Sequence, residues 1–178
     1  MIGGRPGAAE FPEYYRNYIA TVPDGPILEF LESHGGDLVN LLSSVPEGLE
    51  GYRYAPEKWS IREVVAHIID AERMFTTRAL AFARGDRGPY PSFDENHYAT
   101  TCGAEGRTLE DLAEEFAALR RATTIFYRTL PPEAWDRTGV ASGKDFNVRS
   151  LAWITAGHAV HHGALIRDRY LAGTADGA

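Results

Sequence analysis

Apolar side chains that recur in alternating steps of three and four constrain this chain more than any other feature. The cleanest run opens at Thr108, with Asp111 three residues on, and continues through Leu109, Leu112, Phe116, Leu119, Thr123, Phe126 and Leu130 until Pro131-Pro132 ends it. Such spacing draws one apolar stripe along one helical face, the pattern of a bundle seam. Three other segments share the period. One is expected to begin near Asp24-Gly25-Pro26, with Asp24 as cap and proline in the first turn, and its stripe is Ile27, Leu31, Leu38, Leu41, Leu42 and Val45. Gly35 and Gly36 weaken its middle by about 1 kcal/mol each relative to alanine, yet the apolar phase resumes beyond them, so one long or kinked helix is expected. Ser60 followed by Glu63 is a capping-box pattern that starts a helix at Ile61, running to about Arg84. A last helix is expected from an Asn147 cap to about Leu171. Glu133 to Phe146 shows no strand-like alternation and reads as a connection turning at Gly139 and Gly143. The expected fold is all-α, an up-down four-helix bundle.

Composition narrows the function classes. A chain of 178 residues, 44% hydrophobic and 24% charged, has the size and mixture of one soluble domain spanning 1–178. Its net charge of -7 argues against a nucleic-acid partner, which needs clustered Lys and Arg. Arg167 and Arg169 flank Asp168 and read as complements to a helix C-terminus. The single cysteine, Cys102, rules out an internal disulfide, fits a reducing compartment, and reads as an incidental thiol. The opening Met1 to Gly7 has no apolar run to act as a signal peptide, and no segment reaches bilayer-spanning length. A cytoplasmic protein with no membrane contact is expected. There is no Gly-rich phosphate loop, no Gly-x-Ser-x-Gly elbow and no Cys-x-x-Cys pair.

Histidines supply the positive signal. His67 occupies a leucine-like position in the stripe Val64, His67, Ile68, Ala71 and Phe75. On the last helix, Leu151, Ile154, Thr155, His158, His162 and Leu165 form one face, with His158 and His162 about one turn apart. Three neutral imidazoles on apolar seams read as the ligands of a divalent metal ion, Zn, Ni, Fe or Mn, with a coordination position left open for water or substrate. A metal lowers the pKa of bound water to about 7 and deprotonates a coordinated thiol, so hydrolysis and thiol transfer are both available. The run His158-Ala159-Val160-His161-His162 lacks the glutamate that metalloproteases place after the first histidine, so peptide hydrolysis by that route is not expected.

Several neighbours carry weaker expectations. Asp70, one turn after His67, is the catalytic candidate, able to orient a ligand or act as a base, with a solvated aspartate as the plain alternative. His161 lies towards the edge of the histidine face, and His34 and His97 read as surface residues. Tyr14, Tyr15 and Tyr18 read as an N-terminal segment packed against the bundle. Trp153, Ala156 and Val160 form a second ridge nearly opposite the histidines, to be covered by another helix or by the partner subunit of a homodimer. The long connection from Gly85 to Arg107 carries Tyr90, Phe93 and Tyr98, which could cover one end of the bundle.

The run Lys58-Trp59-Ser60-Ile61-Arg62-Glu63-Val64-Val65-Ala66-His67, followed by Asp70-Ala71-Glu72-Arg73, resembles the signature of the DinB/YfiT-like superfamily. Val148-Arg149-Ser150-Leu151-Ala152-Trp153-Ile154, leading into Gly157-His158 and His162, is similar to the same family, and the likeness covers about residues 11 to 171, the expected ordered core. The family is distinct from the DNA polymerase that shares its name. The resemblance implies a four-helix bundle, often a homodimer, with a divalent metal on three histidines that correspond to His67, His158 and His162. It also implies transferases or isomerases that use low-molecular-weight thiols such as bacillithiol or mycothiol, or metal-dependent hydrolases. The leading expectation is a transferase in which the metal ionises a small thiol that attacks a small electrophilic substrate. A hydrolase using metal-activated water and a non-catalytic metal-binding stress-response module are the alternatives.

Overall fold

The computed structural model describes residues 3–172, so Met1, Ile2 and residues 173–178 of the sequence reading lie outside the described residues. A short helix α1 (Arg16–Thr21) precedes four long ones: α2 (Ile27–Ser43), α3 (Ile61–Ala83), α5 (Leu109–Arg128) and α6 (Val148–Leu165), with the short α4 (Glu95–Thr101) between α3 and α5. The architecture is the expected helical bundle. The heaviest packing joins α3 to α6 and α2 to α5, and α3–α5 and α2–α6 contacts close the ring. Links long enough to cross the bundle separate α2 from α3 and α5 from α6, so chain neighbours sit across the diagonal. This arrangement sets His67 of α3 beside the histidines of α6.

Local capping explains where these helices begin. The Ser60 amide donates to Glu63 Oε2 at 2.6 Å and the Glu63 amide donates to Ser60 Oγ at 3.3 Å, which satisfies two otherwise orphaned donors of α3. Asn147 and Ser150 exchange the same pair of bonds at the start of α6, and Thr108 Oγ1 accepts from the Asp111 amide at 3.1 Å at the start of α5. The expectation for Asp24 fails: Pro26 occupies the cap position of α2, and Asp24 instead pairs with Arg5 at 2.6 Å. Asp24 lies too far upstream of Ile27 for its side chain to meet the first free amides.

The connection expected between Glu133 and Phe146 also differs. It contains a two-stranded antiparallel hairpin, β1 (Thr138–Ala141) and β2 (Lys144–Asn147), with Ala141 opposite Lys144. Its turn residues, Ser142 at φ 53° and Gly143 at φ 68°, are both left-handed, the requirement of a two-residue turn that follows strand twist. Gly139 is demanded by packing, because a Cβ there would lie 2.1 Å from Phe82 Cε1. The Gly85–Arg107 connection leans on this hairpin: the Tyr90 amide donates to the Val140 carbonyl at 2.9 Å, and the Tyr90 ring packs 6.0 Å from Phe82. Phe82 is fifteen residues beyond His67 on the same helix, about 22 Å away, so Tyr90 covers the end of the bundle remote from the histidines.

The second ridge of α6 is covered from within the chain. Trp153 is fully buried and its Nε1 donates to the Gly3 carbonyl at 2.9 Å, while the Arg5 guanidinium lies 4.5 Å above its ring. Helix α1 then crosses α6 at Gly157, where a Cβ would come within 2.0 Å of the Tyr18 carbonyl oxygen. The N-terminal segment thus covers this ridge at Trp153 and Gly157. On the other side of α3, the buried Glu72 carboxylate takes Arg120 Nε at 3.0 Å and Nη2 at 2.7 Å, and Arg120 Nη1 donates to the Leu31 carbonyl at 3.2 Å. This pair gives Gly35 a purpose that helix propensity hides, since a Cβ at Gly35 would meet Arg120 Cγ at 2.9 Å. Beyond α6 the chain continues into a wide π-helical turn, Ile166–Leu171, whose Tyr170 hydroxyl donates to the Trp59 carbonyl at 2.7 Å. No helix among the described residues is long and apolar enough to cross a membrane.

Candidate metal centre

His67 comes from the second turn of α3 and His158 and His162 from successive turns of α6, all on faces the helices bury. Their exposures are 4%, 6% and 8%. One ring nitrogen from each lies within 4.8 Å of the others, and the Nε2 atoms of His67 and His158 are 3.0 Å apart. Imidazoles bound to one ion at about 2.0–2.1 Å hold their nitrogens roughly 3 Å apart, so the cluster is already at that scale.

Electrostatics points the same way. Burial pulls His67 down to about 4, and burial followed by the neighbouring imidazoles pulls His162 down to about 3. His158 falls well below the ordinary range for the same reasons, burial first. All three rings are therefore neutral near pH 7 and keep an unprotonated nitrogen for coordination. The buried Nδ1 atoms of His67 and His162 have no hydrogen-bond partner among the described residues. An unmet buried polar atom costs about 1–3 kcal/mol, and native cores keep few of them. The donor set fits a divalent ion, with the Nε2 atoms of His67 and His158 facing each other and one nitrogen of His162 within 4.8 Å of them.

Aromatic side chains wall the cluster. Trp59 lies 4.7 Å from the His67 ring, Phe75 5.7 Å from His158, and Tyr18 5.5 Å from His158 and 5.1 Å from the exposed His161. Burial, then the neighbouring Tyr14, raises the Tyr18 phenol, which stays protonated. Tyr14 is exposed and Tyr15 packs on Phe75 and Phe146 at 6.0 and 5.6 Å, as a packed N-terminal segment should. The spacing of the tyrosines alone does not place Tyr18 at the histidines, and Trp59, part of the family-like run just before the Ser60 cap, has no local signal that sets it against His67.

Asp70 is half-buried on the side of α3 that meets α5. Its carboxylate lies 3.7 Å from Arg73, which also bonds Glu115, and Arg107 ties Glu115 to Asp111. Burial raises the Asp70 carboxyl, with Arg73 opposing and Glu115 reinforcing the shift. Its partner is thus an arginine of a charge network, and no hydrogen bond joins it to the three histidines among the described residues. His97 is exposed as expected, in the first turn capped by Asp94. His34 departs from the surface reading: it is half-buried, stacks 5.5 Å from Phe30, and burial lowers it to about 4. The phenyl ring one turn earlier on α2 draws it inward despite its polar sequence neighbours.

Comparison with known proteins agrees with this architecture. A family model described as the DinB superfamily matches residues 31–166. Among solved structures, YfiT from Bacillus subtilis, described as a probable metal-dependent hydrolase with an unusual four-helix bundle topology, superposes with a TM-score of 0.73 at 16% identity, covering 95% of this chain and 93% of its own. A mycothiol-dependent maleylpyruvate isomerase superposes with a TM-score of 0.67 at 15% identity, covering 82% of this chain and 61% of its own. At these identities the likeness concerns the fold. No curated protein sequence matches the chain.

Proposed function

Because the chain belongs to the DinB superfamily, we propose that His67, His158 and His162 hold a divalent metal ion and that the protein is a transferase whose nucleophile is a small thiol. The observation that carries this reading is the convergence of three buried, neutral imidazoles, two of which, His67 and His162, keep an unmet nitrogen atom. A bound ion supplies Lewis acidity that lowers the pKa of a thiol or a water at an open position. The chain's own residues contribute the rest. The imidazoles offer lone pairs without first losing protons, and Trp59, Phe75 and Tyr18 keep bulk water from the site, which strengthens each electrostatic interaction inside it. The thiol S–H bond breaks and its proton passes out to buffer, and the sulfur forms the new bond to an electrophilic carbon of a small molecule as that carbon's bond to its leaving group breaks and the leaving group departs with the electron pair. In this reading the protein works in the cytoplasm, which its lone cysteine supports.

Thiol chemistry is favoured over water chemistry by one placement. Ionisation of a thiol needs no further base, whereas attack by water is usually assisted by a carboxylate, and no carboxylate joins His67, His158 and His162 in their cluster among the described residues. The hydrolase reading rests on the YfiT likeness, which spans nearly the whole of both chains. If Asp70 is its base, Asp70→Asn abolishes ester or amide turnover. Metal-loaded protein assayed with small thiols plus electrophiles, and in parallel with esters and amides, separates the two. Turnover that requires the thiol supports the proposal, and thiol-independent hydrolysis overturns it. Turnover in neither panel favours a non-catalytic metal-binding module.

A further inference from the structure

Helices α2 and α5, the pair that carries none of the three histidines, enclose a groove of about 550 Å³ lined by Gly36 and Asn40 on one side and by Arg120, Arg121, Ile125 and Arg128 on the other. That volume is within the range of small-molecule sites. Three features of the groove point to what it takes. Its floor is closed, because the Arg120 guanidinium is already matched to Glu72 and the Leu31 carbonyl. Its wall is bare at Gly36, where a Cβ would meet nothing within 4 Å. A glycine there costs α2 about 1 kcal/mol relative to alanine, and no close approach of another group demands it, in contrast to Gly35. Its rim sets Arg121 and Arg128 against a single carboxylate, Glu32, in a chain of net charge -7. Arg121 has no ion pair among the described residues, and Arg128 meets Glu32 only at 3.6 Å, with both side chains more than half exposed, a pairing worth little. Arg121 and Arg128 are seven residues apart, two turns along one face, and Ile125 between them is 41% exposed.

We propose that this groove binds a small organic anion with a slender apolar body, its acidic head between Arg121 and Arg128 and its body along Gly36 and Ile125. The site is independent of the histidine cluster and of the function proposed for it. Decanoate is the probe, titrated calorimetrically into the full chain beside decanol and decyltrimethylammonium, which share its body without its charge. Decanoate is expected to bind roughly tenfold more tightly than decanol, the effect of one charge-assisted contact, with decyltrimethylammonium weakest. Gly36→Leu, which fills the bare wall, and Arg121→Glu, which reverses the rim, should each weaken decanoate by roughly tenfold or more while leaving metal content unchanged, with thermal unfolding raised by the better helix former at position 36 and not lowered by Arg121→Glu. Equal binding of decanoate and decanol overturns the proposal, as does undiminished binding by either variant. A change in sedimentation on Gly36→Leu also overturns it, since it would show that a second copy of the chain occupies the groove.

Discussion

Helix α3 sends polar side chains into two seams of the same bundle and resolves them in opposite ways. Towards α5 and α2, Glu72 and Arg120 satisfy each other and the Leu31 carbonyl, so the charges are closed within the core. Towards α6, His67 meets His158 and His162 with nitrogen atoms left over. Both seams bury polar groups almost completely, yet only the first finishes its hydrogen bonding with protein atoms. A buried polar cluster that closes on itself holds helices in register, whereas one that stays open is built around something the chain does not supply.

The contrast is broken most forcefully at the closed seam. Arg120→Met strands a buried carboxylate and should lower unfolding stability by about 3–5 kcal/mol in denaturant titrations, while metal content per folded chain is retained. A loss below about 1 kcal/mol would place the pair among weak surface contacts. At the open seam, Zn at one hundred times its dissociation constant should stabilise the metal-free protein by about 2.7 kcal/mol, and should do nothing measurable for His158→Ala. Similar stabilisation of both would mean the ion binds elsewhere. Gly157→Ala tests how α1 is seated over the histidines: the added methyl collides with the Tyr18 carbonyl, so a loss of about 1–3 kcal/mol with a weakened metal affinity is expected, and an unchanged affinity would detach Tyr18 from the site.

A further effect is in pH. The folded-state pKa of His67 is lowered from 6.5 to about 4, so the unfolded chain binds more protons than the folded one between those values. Stability of the metal-free protein is thus complete above about 6.5 and declines as pH falls towards about 4. Melting temperatures of wild type and His67→Ala across that window should diverge, with the variant flatter. Parallel curves would remove the imidazole from the account.

Much of this arrangement was legible because helices repeat. The three-and-four spacing of α3, α5 and α6 announced their buried faces, and the caps at Ser60, Thr108 and Asn147 marked their starts, since both signals act within a turn or two of chain. The same periodicity put His67 and the His158/His162 pair on inward faces before their convergence was visible. What escaped depends on distance in sequence. Glu72 and Arg120 are separated by 48 residues and announce nothing locally. Tyr18 reaches His158 only because α1 crosses α6 at Gly157. The hairpin escaped for a different reason: four-residue strands are too short to show alternation, and Ser142-Gly143 was its one local mark.

The most direct test is the metal content of protein purified without an affinity tag, measured beside His158→Ala by elemental analysis after both are shown to be folded by circular dichroism. About one divalent ion per chain in the wild type and almost none in the variant is the expected result, as three converging imidazoles require. Equal metal content in two folded proteins would contradict it.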